Sequence, residues 1–146
     1  VMATGISLSL GIRQSKAEND SIFKELFEEF NTRYHTKFNR ELDIIVKSEK
    51  TDLDPEQIYF VIDYINFCAE EYLWRTKGRI PDEVWNSWEK GMVYYFGNPL
   101  IYKIFFNERT QKDSYYGLYE RIEKILNGIT KQQIGTLKIS DSYEKV

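Results

Sequence analysis

Apolar residues recur at intervals of three and four through most of this chain, which is the spacing of an amphipathic α-helix. The first clear stripe consists of Phe23, Leu26, Phe27, Phe30 and Tyr34. Its helix is expected to begin near residues 19–21, or to continue from the uncharged start of the chain. A second, shorter helix is predicted from about residue 39 to residue 47, with Leu42, Ile45 and Val46 as its buried positions.

The strongest local signal marks the start of a third helix. Asp54 can accept the first free amide hydrogens, Pro55 suits the first helical position, and Gln57 stands where a capping box requires it. The predicted apolar face comprises Ile58, Val61, Ile62, Ile65, Ala69, Tyr72 and Leu73. Gly78 is expected to end the helix in a left-handed conformation.

Turn residues then divide the second half of the chain. Pro81 restarts a helix, whose buried candidates are Val84, Trp85, Trp88, Met92, Val93 and Phe96. Gly97 stops that helix, and Asn98 with Pro99 is expected to cap a short helix that runs through Phe106.

A last helix is predicted from a cap at residue 113 or 114 to Gly128, and it carries the apolar residues Tyr115, Leu118, Tyr119, Ile122, Ile125 and Leu126. Beyond Gly128 the pattern is weak, and Ile134, Leu137 and Ile139 are expected to form a short strand or a docked arm, or to fray. Short turns between helices favour antiparallel neighbours. The sequence therefore predicts an all-α, compact bundle of about five helices over residues 13–128, followed by a polar tail over residues 129–146.

The uncharged segment over residues 1–12 is followed at once by Arg13 and Lys16. Twelve helical residues span about 18 Å, which is less than a hydrocarbon core of about 30 Å. If apolar residues precede it, this segment would be the end of a membrane helix, with the two cations on the cytoplasmic side. The alternatives are a loosely packed terminus, the end of an export signal, or a segment docked on its own core.

Composition narrows the function classes. The formal charge is −3, which argues against binding to duplex nucleic acid, because such proteins are usually strongly basic. The single Cys68 excludes an intrachain disulfide and fits a reducing compartment. Apolar residues make up 42% of the chain and aromatic residues 16%, enough ring surface for a core and also for a pocket or an interface.

No motif of known chemistry is present. His35 is the only histidine, so a di-iron site or a structural zinc site has no ligand set, and no cofactor or metal is predicted. The glycines are isolated, so no phosphate-binding loop exists. Cys68 falls in an apolar helix, where a buried side chain is expected rather than a nucleophile. No catalytic residue is predicted, although carboxylate pairs leave an enzymatic activity open.

The most concentrated polar feature is the basic turn after the third helix. Its candidate ligand-binding residues are Trp74, Arg75, Lys77, Arg79 and Trp85, supported by the polar pair Glu70 and Glu71. Guanidinium groups bind phosphate and indole rings stack on bases, so a nucleotide is a candidate ligand. Glu71 and Arg75 are spaced for a surface ion pair, whereas Glu70 is expected to turn inward and to accept hydrogen bonds from the turn after Gly78 or from an indole nitrogen. The alternative for the whole turn is a helix end decorated with cations and packed tryptophans.

Three pieces of the chain carry a family resemblance: the apolar start, the segment RQSKAENDSIFKELFEEFNTRY and the segment IDYINFCAEEYLWRTKGRIPDEVW. Their order resembles a loosely defined family of small bacterial proteins of unknown function, in which a membrane helix runs into a charged amphipathic helix and a compact helical domain. The resemblance covers residues 5–106. It implies a membrane-tethered helical domain and no catalytic residue.

The function predicted from the sequence is therefore non-enzymatic: a helical domain on the cytoplasmic side of the inner membrane that binds a protein partner or itself. One alternative is a nucleotide-gated membrane effector of the antiviral defence type, with its ligand at the basic turn. Another is a soluble, cytoplasmic helical interaction domain. A ligand that binds the folded state should raise the melting temperature, which separates the nucleotide alternative from the others.

Overall fold

A computed structural model describes the backbone of residues 3–109 and 115–143, and the side chains of residues 8–109 and 115–133. This part of the chain forms five continuous helical segments and no strand, which confirms the all-α bundle. The helices are α1 (Ala3–Arg33), α2 (Asn39–Val46), α3 (Pro55–Thr76), α4 (Asp82–Phe96), α5 (Pro99–Glu108) and α6 (Leu118–Tyr143). A π-helical turn, Tyr34–Phe38, joins α1 to α2.

The π turn keeps the buried positions of the first segment facing the core. Positions at intervals of four face the core: Leu26, Phe30, Phe38 and Leu42 are buried, and Tyr34 between them is partly buried. In an α-helix each interval of four residues rotates the side chain by about 40°, so this stripe would soon leave the core. A wider π turn takes up that drift. The sequence pattern did not predict the turn, and it explains how two α-helices form one continuous segment.

α3 lies at the centre of the bundle, with its predicted caps in place. The Gln57 amide donates to Asp54 Oδ1 at 2.9 Å, and the Asp54 amide donates to Gln57 Oε1 at 3.2 Å, which completes the capping box. Gly78 has a φ of +71°, which confirms the left-handed helix end. One predicted core position is wrong: Ile58, in the first turn of α3, is 36% exposed.

The later helices are held together by a stack of rings. Phe96 of α4 stacks on Phe105 of α5 at 4.3 Å, and Phe105 stacks on Tyr119 of α6 at 4.0 Å. The Asn98 side chain caps α5 by accepting from the Leu100 and Ile101 amides, as predicted. α5 continues two residues beyond the predicted end at Phe106.

α6 does not end at Gly128. It continues to Tyr143, so the predicted helix end and the predicted strand are both wrong. An isolated glycine costs a helix about 1 kcal/mol, which its neighbours can offset. The Thr130 hydroxyl donates to the Leu126 carbonyl across this point at 3.1 Å. The predicted cap at residue 113 or 114 lies outside the described residues, as do the side chains of residues 134, 137 and 139.

The first part of α1 extends away from the bundle. Every described side chain over residues 8–20 is exposed, including Leu8, Leu10 and Ile12. These residues therefore do not dock on the core of their own domain, which was one of the expectations. Within the described residues, no helix combines the length and the apolar character needed to cross a membrane.

Candidate functional site

The two arginines of the basic turn are engaged in holding the turn itself. Arg75 Nη1 donates to the Ile80 carbonyl at 2.7 Å, and Arg75 Nη2 donates to the Asp82 carboxylate. Arg79 donates through its side chain to Asn19 on α1, and its backbone amide donates to the Trp74 carbonyl at 3.0 Å. Both side chains thus connect the α3–α4 turn to neighbouring segments.

The two tryptophans of the predicted site differ in how deeply they are buried. Trp74 is partly buried, and the Lys77 ammonium lies 5.4 Å from the centre of its ring. Trp85 is only 1% exposed, and its Nε1 donates to Glu89 at 3.0 Å. The structure brings Trp74, Lys77 and the two arginines to one turn, but it leaves no face of Trp85 open for stacking. Nucleotide binding at this turn stays a prediction.

The two adjacent glutamates exchange their expected roles. Glu70, expected to turn inward, lies on the surface and accepts from Arg33 Nη1 at 2.8 Å. Glu71, expected to form a surface ion pair with Arg75, is only 5% exposed. The predicted ion pair between Glu71 and Arg75 is therefore wrong, because Arg75 pairs with the carboxylate of Asp82 instead. Among the buried residues that the structure describes, Glu71 is the one acidic or basic residue.

Glu71 lines a cleft between the end of α1, the π turn, α3 and α4. The cleft has a volume of about 570 Å³, within the range of about 300–1,000 Å³ that small-molecule sites occupy. Its aromatic lining is supplied by Phe27, Tyr34, Tyr64, Phe67 and Trp88. Its polar lining comprises Asn31, His35, Glu71, Glu83 and Ser87.

Packing fixes the aromatic walls. The Phe27 and Trp88 rings are stacked at 6.4 Å, and Trp88 also meets Phe30 edge to face at 5.7 Å. The Tyr34 hydroxyl lies 3.1 Å from the Tyr95 hydroxyl. Burial and this hydrogen bond raise the pKa of Tyr34. The tyrosine therefore stays neutral and offers the cleft a fixed polar edge.

The carboxyl group of Glu71 is desolvated. Burial raises its pKa well above the usual range, Glu70 raises it further, and the Arg33 guanidinium opposes the rise. No hydrogen bond contributes to the pKa of this carboxyl group, and Glu71 lines the cleft. Burial thus favours the neutral form of Glu71, which is able to donate or accept a hydrogen bond.

The π turn contributes to the lining of the cleft, whereas Cys68 does not. Cys68 is fully buried and does not line the cleft, and burial raises the pKa of its thiol, as expected for a structural cysteine. The described residues contain no group of three or more side chains placed to hold a metal ion. π turns within α-helices occur frequently at functional sites, and this one supplies Tyr34 and His35 to the cleft.

A signal for this site was present in the sequence. Tyr64, Cys68 and Glu71 follow one another at intervals of four and three, so the glutamate shares the apolar face of α3. A carboxylate in such a stripe is a candidate for a functional group, because burial without a partner is costly.

No protein-family model, no curated protein and no solved structure matches this chain. The family resemblance in the sequence therefore stays a prediction, and the geometry of the cleft is the basis for assigning a function.

Proposed function

We propose that this domain binds a small organic molecule in the cleft between α1, α3 and α4. The observation that carries the proposal is Glu71, an acidic residue that lines an aromatic cleft although it is only 5% exposed. Removing a carboxyl group from water disfavours its charged form, so this position costs free energy in folding alone. A ligand that bonds to this group would offset the cost.

The remaining lining supports the same function. Small-molecule sites combine mainly apolar and aromatic walls with a few placed polar groups. Here Phe27, Phe67 and Trp88 provide the ring surface, while Asn31 and Ser87 provide neutral polar groups beside Glu71. Ligand size is limited by the volume of about 570 Å³.

The test uses the neutral fluorescent dye N-phenyl-1-naphthylamine and a substitution that fills the cleft. Gly91 lines the cleft, and a Cβ atom built there meets nothing within 4 Å. Gly91→Phe should therefore place a ring in the cleft without a backbone clash and weaken dye binding by about tenfold or more. Dye fluorescence would be titrated with each protein at matched concentrations.

The matched control is Gly128→Phe. Gly128 is also a helical glycine with open space around a built Cβ atom, but it lies on α6 and does not line the cleft. Both substitutions change helix propensity in the same way. Equal dye affinity for the Gly91→Phe protein and the wild type would place the dye elsewhere and contradict the proposal.

A second function, self-association or protein binding through the start of α1, is favoured by a separate observation. Leu8, Leu10 and Ile12 are 68%, 59% and 63% exposed on a helix that extends from the bundle. Large exposed apolar residues gathered in one segment are typical of interaction sites. Replacing all three with Ser should lower the sedimentation coefficient if copies associate there. If the wild type already sediments as a monomer and the variant has the same sedimentation coefficient, self-association is excluded.

The membrane tether predicted from residues 1–12, and with it a place on the cytoplasmic side of the inner membrane, belongs to this second proposal. Its support is the uncharged segment followed by Arg13 and Lys16. The full native reading frame would be expressed and its membranes washed with alkaline carbonate. Retention supports a tether, whereas release into the soluble fraction contradicts the membrane tether and leaves a soluble helical interaction domain.

A further inference from the structure

We infer that the ligand of the cleft is an organic cation, such as a substituted ammonium compound, and that the Glu71 carboxylate is its counter-ion. This inference rests on the proposed function, because it names the chemical class of the molecule that the same cleft binds. It is drawn from the charges and rings on the wall of the cleft.

The charges on the wall favour a cation. The carboxyl groups of Glu71 and Glu83 line the cleft, and no lysine or arginine does so among the described residues. Arg33 is the cation that acts on Glu71, but it is held outside by Glu70 at 2.8 Å and Glu29 at 3.5 Å. Glu71 therefore has no cationic partner in contact with it, and the described lining offers an anionic ligand no cationic side chain.

The rings favour the same class. Cations bind to the faces of aromatic rings, most strongly where water is excluded, and quaternary ammonium groups are recognised in this way by cages of aromatic residues. Phe27, Tyr34, Tyr64, Phe67 and Trp88 surround the space next to the carboxyl group. The same interaction already occurs on a ring of the cleft lining, since the Arg33 guanidinium lies 5.1 Å from the centre of the Phe67 ring.

Binding of a cation should release a proton. Burial favours the protonated form of Glu71 in the free protein, and a positive charge beside it favours its carboxylate. The proton of the carboxyl group then passes to solvent, so that one positive charge enters the cleft as another leaves. The nearby groups that influence Glu71 are Arg33 of α1, Glu70 of α3 and the neutral Tyr34, Tyr64 and Cys68.

Two further titratable groups line the cleft with Glu71. Glu83 of α4 adds negative charge at its rim, and His35 of the π turn is exposed and would gain a positive charge on protonation. Because a protonated His35 would also weaken the binding of a cation at low pH, its contribution is separated by a His35→Gln variant.

The test compares choline with 3,3-dimethylbutan-1-ol, which has the same shape but a carbon atom in place of the charged nitrogen. Binding is followed by the indole N–H resonance of Trp88 in NMR titrations in an amine-free buffer. Trp85, which is buried and bonded to Glu89, serves as an internal reference. Choline should bind at least about tenfold more tightly than the neutral alcohol.

Glu71→Gln is the decisive variant, because it keeps the shape of the side chain but cannot ionise. It should bring the affinities of choline and the alcohol to within about threefold of each other. In the wild type and in His35→Gln, choline affinity should rise by up to about tenfold per pH unit while Glu71 is protonated in the free protein. The Glu71→Gln protein should lose that part of the dependence.

Three results would overturn the inference: equal binding of the two compounds, a preference that survives in Glu71→Gln, or no shift of the Trp88 resonance with choline. None of them removes the proposed function by itself. If the neutral dye still binds the wild type and is weakened by Gly91→Phe, the cleft takes a neutral molecule instead. If the affinity for the dye is also the same in the Gly91→Phe protein as in the wild type, the proposed function fails as well.

Discussion

At pH values above the ordinary pKa of a glutamate, Glu71 lowers the free energy of unfolding. The cause is burial, which favours the protonated form of Glu71 in the native state but not in the unfolded state. Below the unfolded-state value near 4.5 both states are protonated and the penalty vanishes. As the pH rises toward the folded-state pKa, the native state binds the extra proton and the free energy of unfolding falls. We therefore expect Glu71→Gln to stabilise the protein at neutral pH by about 1.4 kcal/mol for each unit of pKa shift.

Urea unfolding in phosphate buffer measures this effect without an amine that could occupy the cleft. The gain from Glu71→Gln should shrink as the pH falls from about 7.5 to about 4.5. Glu70→Gln is the control, since Glu70 is an exposed neighbour bonded to Arg33 and should give no gain at neutral pH. A Glu71→Gln protein that is less stable than the wild type at neutral pH would contradict the proposed state of this carboxyl group.

A second test at the residue scale concerns Tyr119. Its ring is buried against Phe105, but its hydroxyl has no hydrogen-bond partner among the described residues. Tyr119→Phe keeps the ring stack and removes the unpaired group, so we expect a gain of about 1 kcal/mol in the free energy of unfolding. Tyr115→Phe is the matched control, because it breaks a 3.0 Å bond to Glu108 and should destabilise. A loss in the Tyr119→Phe protein would mean that its hydroxyl is bonded after all.

Glu70 and Glu71 could be identified as candidate residues from the sequence, but the predicted surroundings of both were wrong. Adjacent helical residues differ by about 100° in direction, so the two carboxyl groups straddle the edge of the apolar face. Which one is buried depends on where α1 and α4 pack against α3. Cys68 could be placed correctly because apolar residues surround it on both sides, whereas Glu71 required the tertiary contacts.

At the scale of elements, helix starts and turns were predictable because their causes are local. Asp54, Asn98 and Gly78 act within four residues of their own positions, through a cap or a left-handed φ. The π turn was not predictable from local preference, since it corrects the register of a buried stripe over sixteen residues, from Leu26 to Leu42. Gly128 was misread as an end because an isolated glycine is also tolerated within a helix.

The α3–α4 turn provides a test at this scale. Arg75 donates to the Ile80 carbonyl and to Asp82, which joins the end of α3 to the start of α4. Arg75→Ala should therefore lower the free energy of unfolding by about 1–2 kcal/mol. Lys77→Ala, next to it but exposed and set over the Trp74 ring, should change stability by less than about 0.5 kcal/mol.

The same two variants separate structure from ligand binding at the basic turn. If a nucleotide raises the melting temperature of the wild type and of neither variant, the turn is a phosphate site as well as a structural one. If the shift is the same in all three proteins, Arg75 and Lys77 take no part in binding. A fully stable Arg75→Ala protein would show that its bonds to the turn contribute little.

At the scale of the molecule, the domain consists of a packed body and a helical extension. The apolar residues of the body converge on one core, in which α3 is central and the rings of Phe96, Phe105 and Tyr119 join three helices. The start of α1 contributes nothing to this core, since its side chains over residues 8–20 are exposed. The cleft lies on the body, so ligand binding and any association through the extension are separable.

Removal of residues 1–12 tests that separation directly. Because Leu8, Leu10 and Ile12 are exposed and the Asn19–Arg79 bond is retained, the truncated protein should match the full chain in its free energy of unfolding within about 0.5 kcal/mol. Its affinity for the neutral dye should also be unchanged, while any self-association of the full chain should be lost in sedimentation velocity. A fall in stability at protein concentrations where the full chain is monomeric would mean that the segment packs on its own core. A fall seen only where the full chain associates would instead identify the contact between copies as the source of stability, because association stabilises the folded state by mass action.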